Sequence, residues 1–237
     1  MATLSLSPVS FDEELLRSTL AQGGACAGSF EHLLAIAGRV SLAAKQYLPV
    51  DPEQDRMVFI LKGAAKLEVQ VKPCACSCSG SQRKDGAHGQ VLSFHFPGDF
   101  VPVLRRPDAQ AHLAALTPLE CLIFPTHALL NIAAGDSAML RIVLARAFQA
   151  VDAGRSGMIR LASASASERL EEFLRAMAVK ITGWSKGPCE FSLPMSRREI
   201  ADHLGLTIET VSRQFAALRD AGVIETEGRS LVRLLGT

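Results

Sequence analysis

The chain has 237 residues, of which 48% are hydrophobic, and it carries 25 Lys and Arg against 24 Asp and Glu. This is enough apolar material for one large core or two ordinary ones, and the balanced charge predicts neither a nucleic-acid nor an acidic partner. No apolar run approaches the ~18 residues of a membrane span and no cationic segment precedes Arg17, so we expect a cytoplasmic protein without a signal peptide or membrane partner.

The first half of the chain predicts a β-rich domain. Up to about Tyr47 the pattern is mixed helix and loop. From Arg56 to Pro125, short apolar runs alternate with turn signals such as Lys62-Gly63 and Pro97-Gly98-Asp99. This alternation is typical of a small antiparallel β-domain. A long polar connection between two of the runs contains Cys74, Cys76 and Cys78.

A long helix is predicted next, over residues 136–162. Apolar and small residues recur there at alternating spacings of four and three, which is the heptad pattern of a coiled coil. A helix lying on its own domain explains the pattern as well, but the position between two domains favours a dimerisation helix. The predicted dimerisation residues are Leu140, Leu144, Ala147, Val151, Gly154, Met158 and Leu161.

Residues 163–237 predict a winged helix-turn-helix. Ser165 with Glu168, and Ser196 with Glu199, have the spacing of capping boxes, so each pair predicts the start of a helix. Gly205 suits a tight turn, and Thr207 is a natural N-cap for the helix that follows. That helix ends at Gly222, and a hairpin turning at residues 227–229 supplies the wing.

The helix that follows Thr207 has a face suited to the edges of base pairs. Glu209, Ser212 and Arg213 share one side near the helix N-terminus, and each can hydrogen-bond a base edge in the major groove. Thr207 and Arg197 complete the predicted DNA contacts. The alternative is an ordinary solvated helical face. From Met195 onwards the sequence has six Arg and six acidic residues, so this part of the chain is neutral and long-range attraction to phosphate is expected to be weak.

The segment MSRREIADHLGLTIETVSRQFAALRDAGVIETEGRSLVRLL resembles the DNA-binding unit of the Crp/Fnr regulators, and its ETVSR stretch resembles the Fnr and FixK branch. The resemblance extends through VFILKGAAKLEVQV, FHFPGDF and the long helix. It implies an α+β fold with an N-terminal antiparallel β-roll sensor domain over residues 1–135, the dimerisation helix, and the C-terminal winged helix-turn-helix. It also implies a homodimeric transcription regulator that binds a TTGAT–four bases–ATCAA palindrome and contacts RNA polymerase.

Other functions find less support in the sequence. No Gly-rich phosphate loop, nucleophile elbow or paired metal-binding His motif is present, so we expect no enzyme. The cyclic-AMP branch of the family uses a Gly-Glu pair and a later Arg-Ser or Arg-Thr. Here Asp99 follows Gly98 and no such Arg step appears, which argues against cyclic AMP. The Arg105-Arg106 pair is interpreted as a solvated or polymerase-facing patch.

The cysteines are the candidates for a signal. Cys121 matches the central iron–sulfur ligand of the oxygen-sensing branch, but of the other ligands only Cys26 lies in the N-terminal segment. Three interpretations remain: buried small residues with an exposed reactive loop, a metal or iron–sulfur site of Cys74, Cys76, Cys78 and Cys121, or direct thiol oxidation. We therefore expect a redox- or oxygen-responsive regulator. The alternative is one controlled by another small ligand or by dimer level alone.

Overall fold

The computed structural model describes residues 13–51, 53–70, 89–105 and 110–236, and its contacts divide the chain into two compact units, residues 1–146 and 147–237. The helices are α1 (Glu13–Gln22), α2 (Ala27–Ile36), α3 (Thr126–Ala134), α4 (Ser137–Ser163), α5 (Ala166–Thr182), α6 (Arg197–Leu204) and α7 (Ile208–Asp220). The strands are β1 (Gly38–Leu42), β2 (Arg56–Lys62), β3 (Ala65–Gln70), β4 (Gln90–His95), β5 (Phe100–Val103), β6 (Gln110–Ala115), β7 (Leu119–Pro125), β8 (Cys189–Ser192), β9 (Ile224–Glu227) and β10 (Leu231–Leu234).

The first unit is built on two antiparallel sheets. One has the order β1-β7-β2-β5 and the other the order β4-β3-β6. Side chains alternate between the two faces of a strand, so β2 serves two layers: Val58 and Ile60 face the second sheet, while Phe59 and Leu61 face the helices. This explains why the sequence of β2 contains a continuous run of apolar residues, which is usual for a strand covered on both faces.

The helical layer of this unit packs on the outer face of the first sheet. Leu16 and Leu20 of α1, Leu33 of α2, and Leu129 of α3 join Phe59 and Phe124 in one apolar cluster. Met139, from the first turn of α4, belongs to the same cluster. The start of the long helix is therefore fixed by the core of the first unit.

The second unit combines three helices with a small sheet of order β8-β10-β9. Both predicted capping boxes form, with Ser165 at the start of α5 and Ser196 at the start of α6. The apolar faces of α5, α6 and α7 are buried. The fully or almost fully buried residues on these helices are Leu170, Phe173, Leu174, Met177, Ile200, Ala201, Leu204, Val211, Phe215 and Leu218.

The predicted fold class is confirmed, with differences in detail. The segment before Tyr47 was expected to contain helix and loop, but it also contains β1, which pairs with β7. The wing has a third strand, β8, in a stretch for which no element was predicted. The long helix spans Ser137–Ser163 against the predicted 136–162. The exact domain boundaries remain predictions, and Cys74, Cys76 and Cys78 lie outside the described residues.

Gly63, in the turn between β2 and β3, is predicted to tolerate alanine poorly. Its φ is +86°, and an added Cβ would overlap the Pro118 carbonyl oxygen. Gly98 is the matched control, because its φ is +91° but nothing lies within 4 Å of the added Cβ. We expect Gly98→Ala to lower the free energy of unfolding by about 1–2 kcal/mol through backbone strain, and Gly63→Ala to lower it further. Equal losses in chemical denaturation would show that the overlap costs nothing.

Candidate nucleic-acid interface

The turn between α6 and α7 has the geometry that presents the second helix outward. Gly205 adopts a left-handed conformation with φ 65° and ψ 34°, and the Leu206 N–H donates to the Ala201 carbonyl. Thr207 then caps α7, because its Oγ1 accepts from the Thr210 N–H at 3.2 Å. The three residues between the helices form the short turn typical of a helix-turn-helix.

The predicted reading residues lie together on the outer face of α7. Val211, Phe215 and Leu218 are buried on the inner face, whereas Glu209, Ser212 and Arg213 are exposed. The structure thus groups the three side chains as predicted. That they contact bases remains a prediction at this point.

Each of the three side chains makes a local contact at the start of α7. Hydrogen bonds from its own backbone N–H and from the Thr207 side chain lower the pKa of Glu209, so it is ionised at neutral pH. The Ser212 Oγ donates to the Ile208 carbonyl at 2.9 Å, and Arg213 Nη2 lies 3.4 Å from Thr210 Oγ1. Arg213 therefore lies back towards the helix N-terminus, the end that a recognition helix directs at the major groove.

Arg197, predicted as a further DNA contact, is packed against the recognition helix. Its guanidinium carbon lies 3.1 Å from the centroid of the Phe215 ring. Burial, with a smaller effect from the charge of Arg219, lowers the pKa of Arg197 to about 10, so the group stays charged at neutral pH. This cation–π contact holds α6 against α7. A DNA contact by Arg197 remains a prediction.

Another arginine forms ion pairs within the small sheet of the wing. Arg233, on β10, donates to Glu190 at 2.6 and 3.0 Å and to Glu225 at 3.0 Å. Two carboxylates therefore neutralise this guanidinium. Arg213 on α7 and Arg229 in the wing turn are exposed and carry their charge on the outer surface of the unit.

One residue of this surface escaped the sequence reasoning. Ile208, the first residue of α7, is 42% exposed although it is large and apolar. It is one helical turn before Ser212, on the edge of the reading face. The side chain of Ile208 has no group that can hydrogen-bond a base edge, so the sequence pattern does not mark it as a DNA contact.

The predicted dimerisation residues form an exposed stripe along α4. Leu140, Leu144, Val151 and Met158 are 39%, 47%, 52% and 74% exposed, and Ala147 and Gly154 are exposed as well. Phe148, beside the stripe, is 70% exposed. The side chain of Leu161 is outside the described residues. The alternative of a helix that buries this stripe on its own domain is therefore not supported.

Cys121 lies in the centre of the first unit. It is fully buried among Val40, Ile60 and other apolar side chains, and burial raises the pKa of its thiol to about 12. Cys26 is exposed at the start of α2, and no three His, Cys, Asp or Glu side chains within the described ranges are grouped to hold a metal. The described residues therefore do not fit an iron–sulfur cluster. Cys121 as a ligand remains a prediction that its surroundings disfavour.

Two other predicted positions have ordinary contacts. The Asp99 carboxylate accepts from the Phe96 N–H at 3.1 Å, which closes the turn before β5. The Arg105 N–H donates to Asp55 at 2.8 Å, while Arg106 lies outside the described residues. Across the part of the chain that is described, no helix is both long and apolar enough to span a membrane.

Comparison with known families defines the class of the C-terminal unit. Residues 168–236 match the model of the Crp-like helix-turn-helix domain. This range begins in α5 and includes the turn, the recognition helix and the wing.

Relatives and solved structures extend the likeness beyond that unit. The chain is 36% identical over 140 residues to a probable transcriptional activator of Rhizobium leguminosarum, covering 58% of each chain. It is 32% identical over 154 residues to the transcriptional activator protein FnrL of Cereibacter sphaeroides, covering 63% of this chain and 62% of FnrL. The structure of FixK2 from Bradyrhizobium japonicum superposes with a TM-score of 0.67 at 24% identity, over 84% of this chain and 92% of FixK2.

The C-terminal unit is therefore similar to the Crp-like helix-turn-helix domain, and the chain resembles the activator FnrL in sequence and FixK2 in fold. The matched region spans about three fifths of the length of these curated relatives. The relatives are named as transcriptional activators and not as enzymes, in agreement with the expectation from the sequence.

Proposed function

We propose that the protein is a DNA-binding transcription regulator that reads a TTGAT–four bases–ATCAA palindrome as a homodimer. The observation that carries the proposal is the exposed group of Glu209, Ser212 and Arg213 on the outer face of α7 in a Crp-like helix-turn-helix. Arg can bond both acceptors of a guanine edge, Glu can accept from a cytosine amine, and Ser can do either. These are the bases at the centre of each half-site.

The neutral charge of the unit supports a dimer. Arg197 and Arg233 are engaged within the unit, so few positive charges remain to attract phosphate. A single unit would then hold DNA weakly. Two linked units raise the effective concentration of the second binding event and can increase the overall affinity by about 10²–10⁴. The exposed stripe on α4 is the surface we assign to that link.

Since the relatives in R. leguminosarum and C. sphaeroides are named transcriptional activators, we infer that RNA polymerase is the partner of the DNA-bound dimer. Run-off transcription from a template carrying the palindrome measures this directly. More transcript with the protein than without it is expected, whereas an unchanged or lower yield would contradict activation.

Arg213→Ala is expected to lose about 1–3 kcal/mol of binding at the palindrome and to relax the preference at one base pair. Arg229→Ala, in the wing turn, is the matched control, because a phosphate contact there would weaken binding equally on all sequences. Fluorescence anisotropy on the palindrome, single-base variants and random duplex measures both. If Arg213→Ala weakened binding equally on every duplex, Arg213 would be a phosphate contact and the assignment would be wrong.

Gly154→Ala is expected to strengthen the dimer and to raise DNA binding without any signal. Apart from the backbone of α4 itself, no described atom lies within 4 Å of the added Cβ, and alanine favours a helix interior by about 0.8–1.0 kcal/mol over glycine. Asp152→Ala, which changes an exposed residue of α4 away from the stripe, controls for helix propensity. Sedimentation velocity measures the monomer–dimer equilibrium. An equally tight dimer for wild type and Gly154→Ala would favour a permanent dimer that only reorients.

We further propose that the signal is a redox change at Cys74, Cys76 and Cys78. An "Anaerobic regulatory protein" of Haemophilus influenzae is 29% identical to the chain over 160 residues, which supports oxygen-linked control. The buried, weakly acidic thiol of Cys121 is a poor partner for such chemistry. Two thiols can form a disulfide as hydrogen peroxide takes up their two electrons and two protons and leaves two waters.

Changing Cys74, Cys76 and Cys78 together to Ser is expected to abolish the response of DNA binding to peroxide and to dithiothreitol. Cys121→Ala is the control and is expected to keep the response. Protein purified without oxygen should show a thiol count that falls on oxidation, whereas visible absorbance would indicate a cluster instead. A triple variant that responds like the wild type would remove the loop cysteines from the mechanism.

A further inference from the structure

The corner between α1 and α2, residues 22–26, lies directly against the start of α4. A Cβ added at Gly23 would overlap Cγ1 and Cδ1 of Ile142. The φ of Gly23 is outside the left-handed region, so its backbone conformation does not require glycine. A larger residue at this position would therefore require the Ile142 side chain to move.

The next residues of the corner continue this contact. Gly24 has a φ of +80°, and its added Cβ would lie 3.9 Å from the Ala138 Cβ. Ala25 and Ile142 both pack against the helical cluster of the first unit. The corner therefore follows the first two turns of α4 at van der Waals distance.

A single carboxylate ties the same two elements together. Asp136 Oδ2 accepts from the Cys26 N–H at 2.9 Å and from the Ser29 hydroxyl at 2.7 Å. Its Oδ1 accepts from the N–H groups of Ala138 and Met139 at 2.9 and 3.2 Å. The carboxylate thus satisfies unpaired N–H groups at the starts of both α2 and α4.

These hydrogen bonds also keep Asp136 ionised. Donation from the Cys26 N–H, the Ser29 hydroxyl and the Met139 N–H holds the pKa of Asp136 well below its usual range. The link between the two helices is therefore a charged one at any physiological pH, and a neutral amide cannot reproduce its four accepted hydrogen bonds.

Two independent contacts, one steric and one charged, therefore hold the first two turns of α4 against the corner within the first unit. The helix has 27 residues, and these two turns are the part of it that packs on the core of the first unit. The exposed stripe begins within these two turns, at Leu140. The corner is thus placed to control how two stripes meet.

We propose that the α1–α2 corner is a positioning element that sets the direction of α4 and, through it, the monomer–dimer equilibrium. The residues that act are Gly23, which fits against Ile142, and Asp136, which joins α2 to α4. This inference rests on the proposed function, because it assumes that the stripe on α4 is the dimer interface. Any change that moves the corner would then alter dimerisation without touching the stripe.

The test measures dimerisation of the full-length variants Gly23→Ala, Asp136→Asn, Ile142→Ala and the double variant Gly23→Ala/Ile142→Ala. Sedimentation velocity gives the dimer dissociation constant, and circular dichroism confirms that each variant is folded. Gly38→Ala is the matched control, because the nearest atom to its added Cβ is at an ordinary 3.8 Å and lies away from α4. Asp136→Asn keeps the shape of the side chain, so it still tests the positioning role if the Gly23→Ala variant does not fold.

We expect Gly23→Ala and Asp136→Asn each to raise the dimer dissociation constant about tenfold, within the range usual for coupling between sites. Removing the overlapping atoms in the double variant should bring the constant back towards that of Ile142→Ala alone, which a double-mutant cycle quantifies. The rescue distinguishes positioning from general destabilisation, since two destabilising changes at independent sites would add.

Two outcomes separate this inference from the proposed function. Folded Gly23→Ala and Asp136→Asn proteins with the dissociation constant of the wild type, in a protein that dimerises and binds the palindrome, would overturn the positioning role alone. A wild-type protein that stays monomeric both free and on the palindrome would overturn the proposed dimer, and the positioning role with it.

Discussion

The long helix α4 carries an apolar stripe that its own chain leaves about half exposed, and the rest of the account depends on covering it. Burying a whole side chain of this kind contributes about 1.5–3 kcal/mol, so covering the exposed half contributes about 1 kcal/mol. The total for two helices is then about 10 kcal/mol, if each helix buries Leu140, Leu144, Val151 and Met158 of the stripe and the neighbouring Phe148. Association costs about 4–15 kcal/mol, so the proposed dimer would be close to balance. A small change at the start of α4 can therefore shift it.

The charge of the DNA-binding unit explains why the monomer–dimer equilibrium would affect DNA binding. From Met195 onwards its six arginines are matched by six acids, and two of these arginines are used inside the unit, one over Phe215 and one between Glu190 and Glu225. Recognition must then come from the local geometry of α7 and from the presence of two copies. The first unit contributes by fixing where α4 begins.

Features encoded by neighbouring residues could be predicted from the sequence. The two capping boxes, the left-handed Gly205 and the Thr207 cap depend on residues within three or four positions, and all form. The buried face of α7 follows from helical spacing alone. Features that depend on distant partners were missed. Strand β1 is defined by pairing Val40 with Cys121, and β8 by pairing Glu190 with Arg233, and neither pairing leaves a local pattern.

The same distinction applies to single residues. Arg197 was expected at DNA from its place in the motif, but its position over Phe215 depends on how α6 packs on α7. Cys121 was expected as a ligand from the family pattern, but burial among the residues of two sheets makes its thiol a weak acid. Gly23 and Asp136 were not predicted to matter, because Gly23 lies against Ile142 and Asp136 binds Cys26, each more than a hundred positions away in the sequence.

The proposal that two copies of the chain read two half-sites can be tested with two duplexes of the same length. One carries the full palindrome, and in the other one half-site is destroyed. Sedimentation of the complexes at fixed salt counts the chains on each duplex, and titration gives the two affinities. The account predicts two chains on the full palindrome and an affinity at least about 100-fold lower for the single half-site. One chain per duplex with equal affinity for both would contradict it.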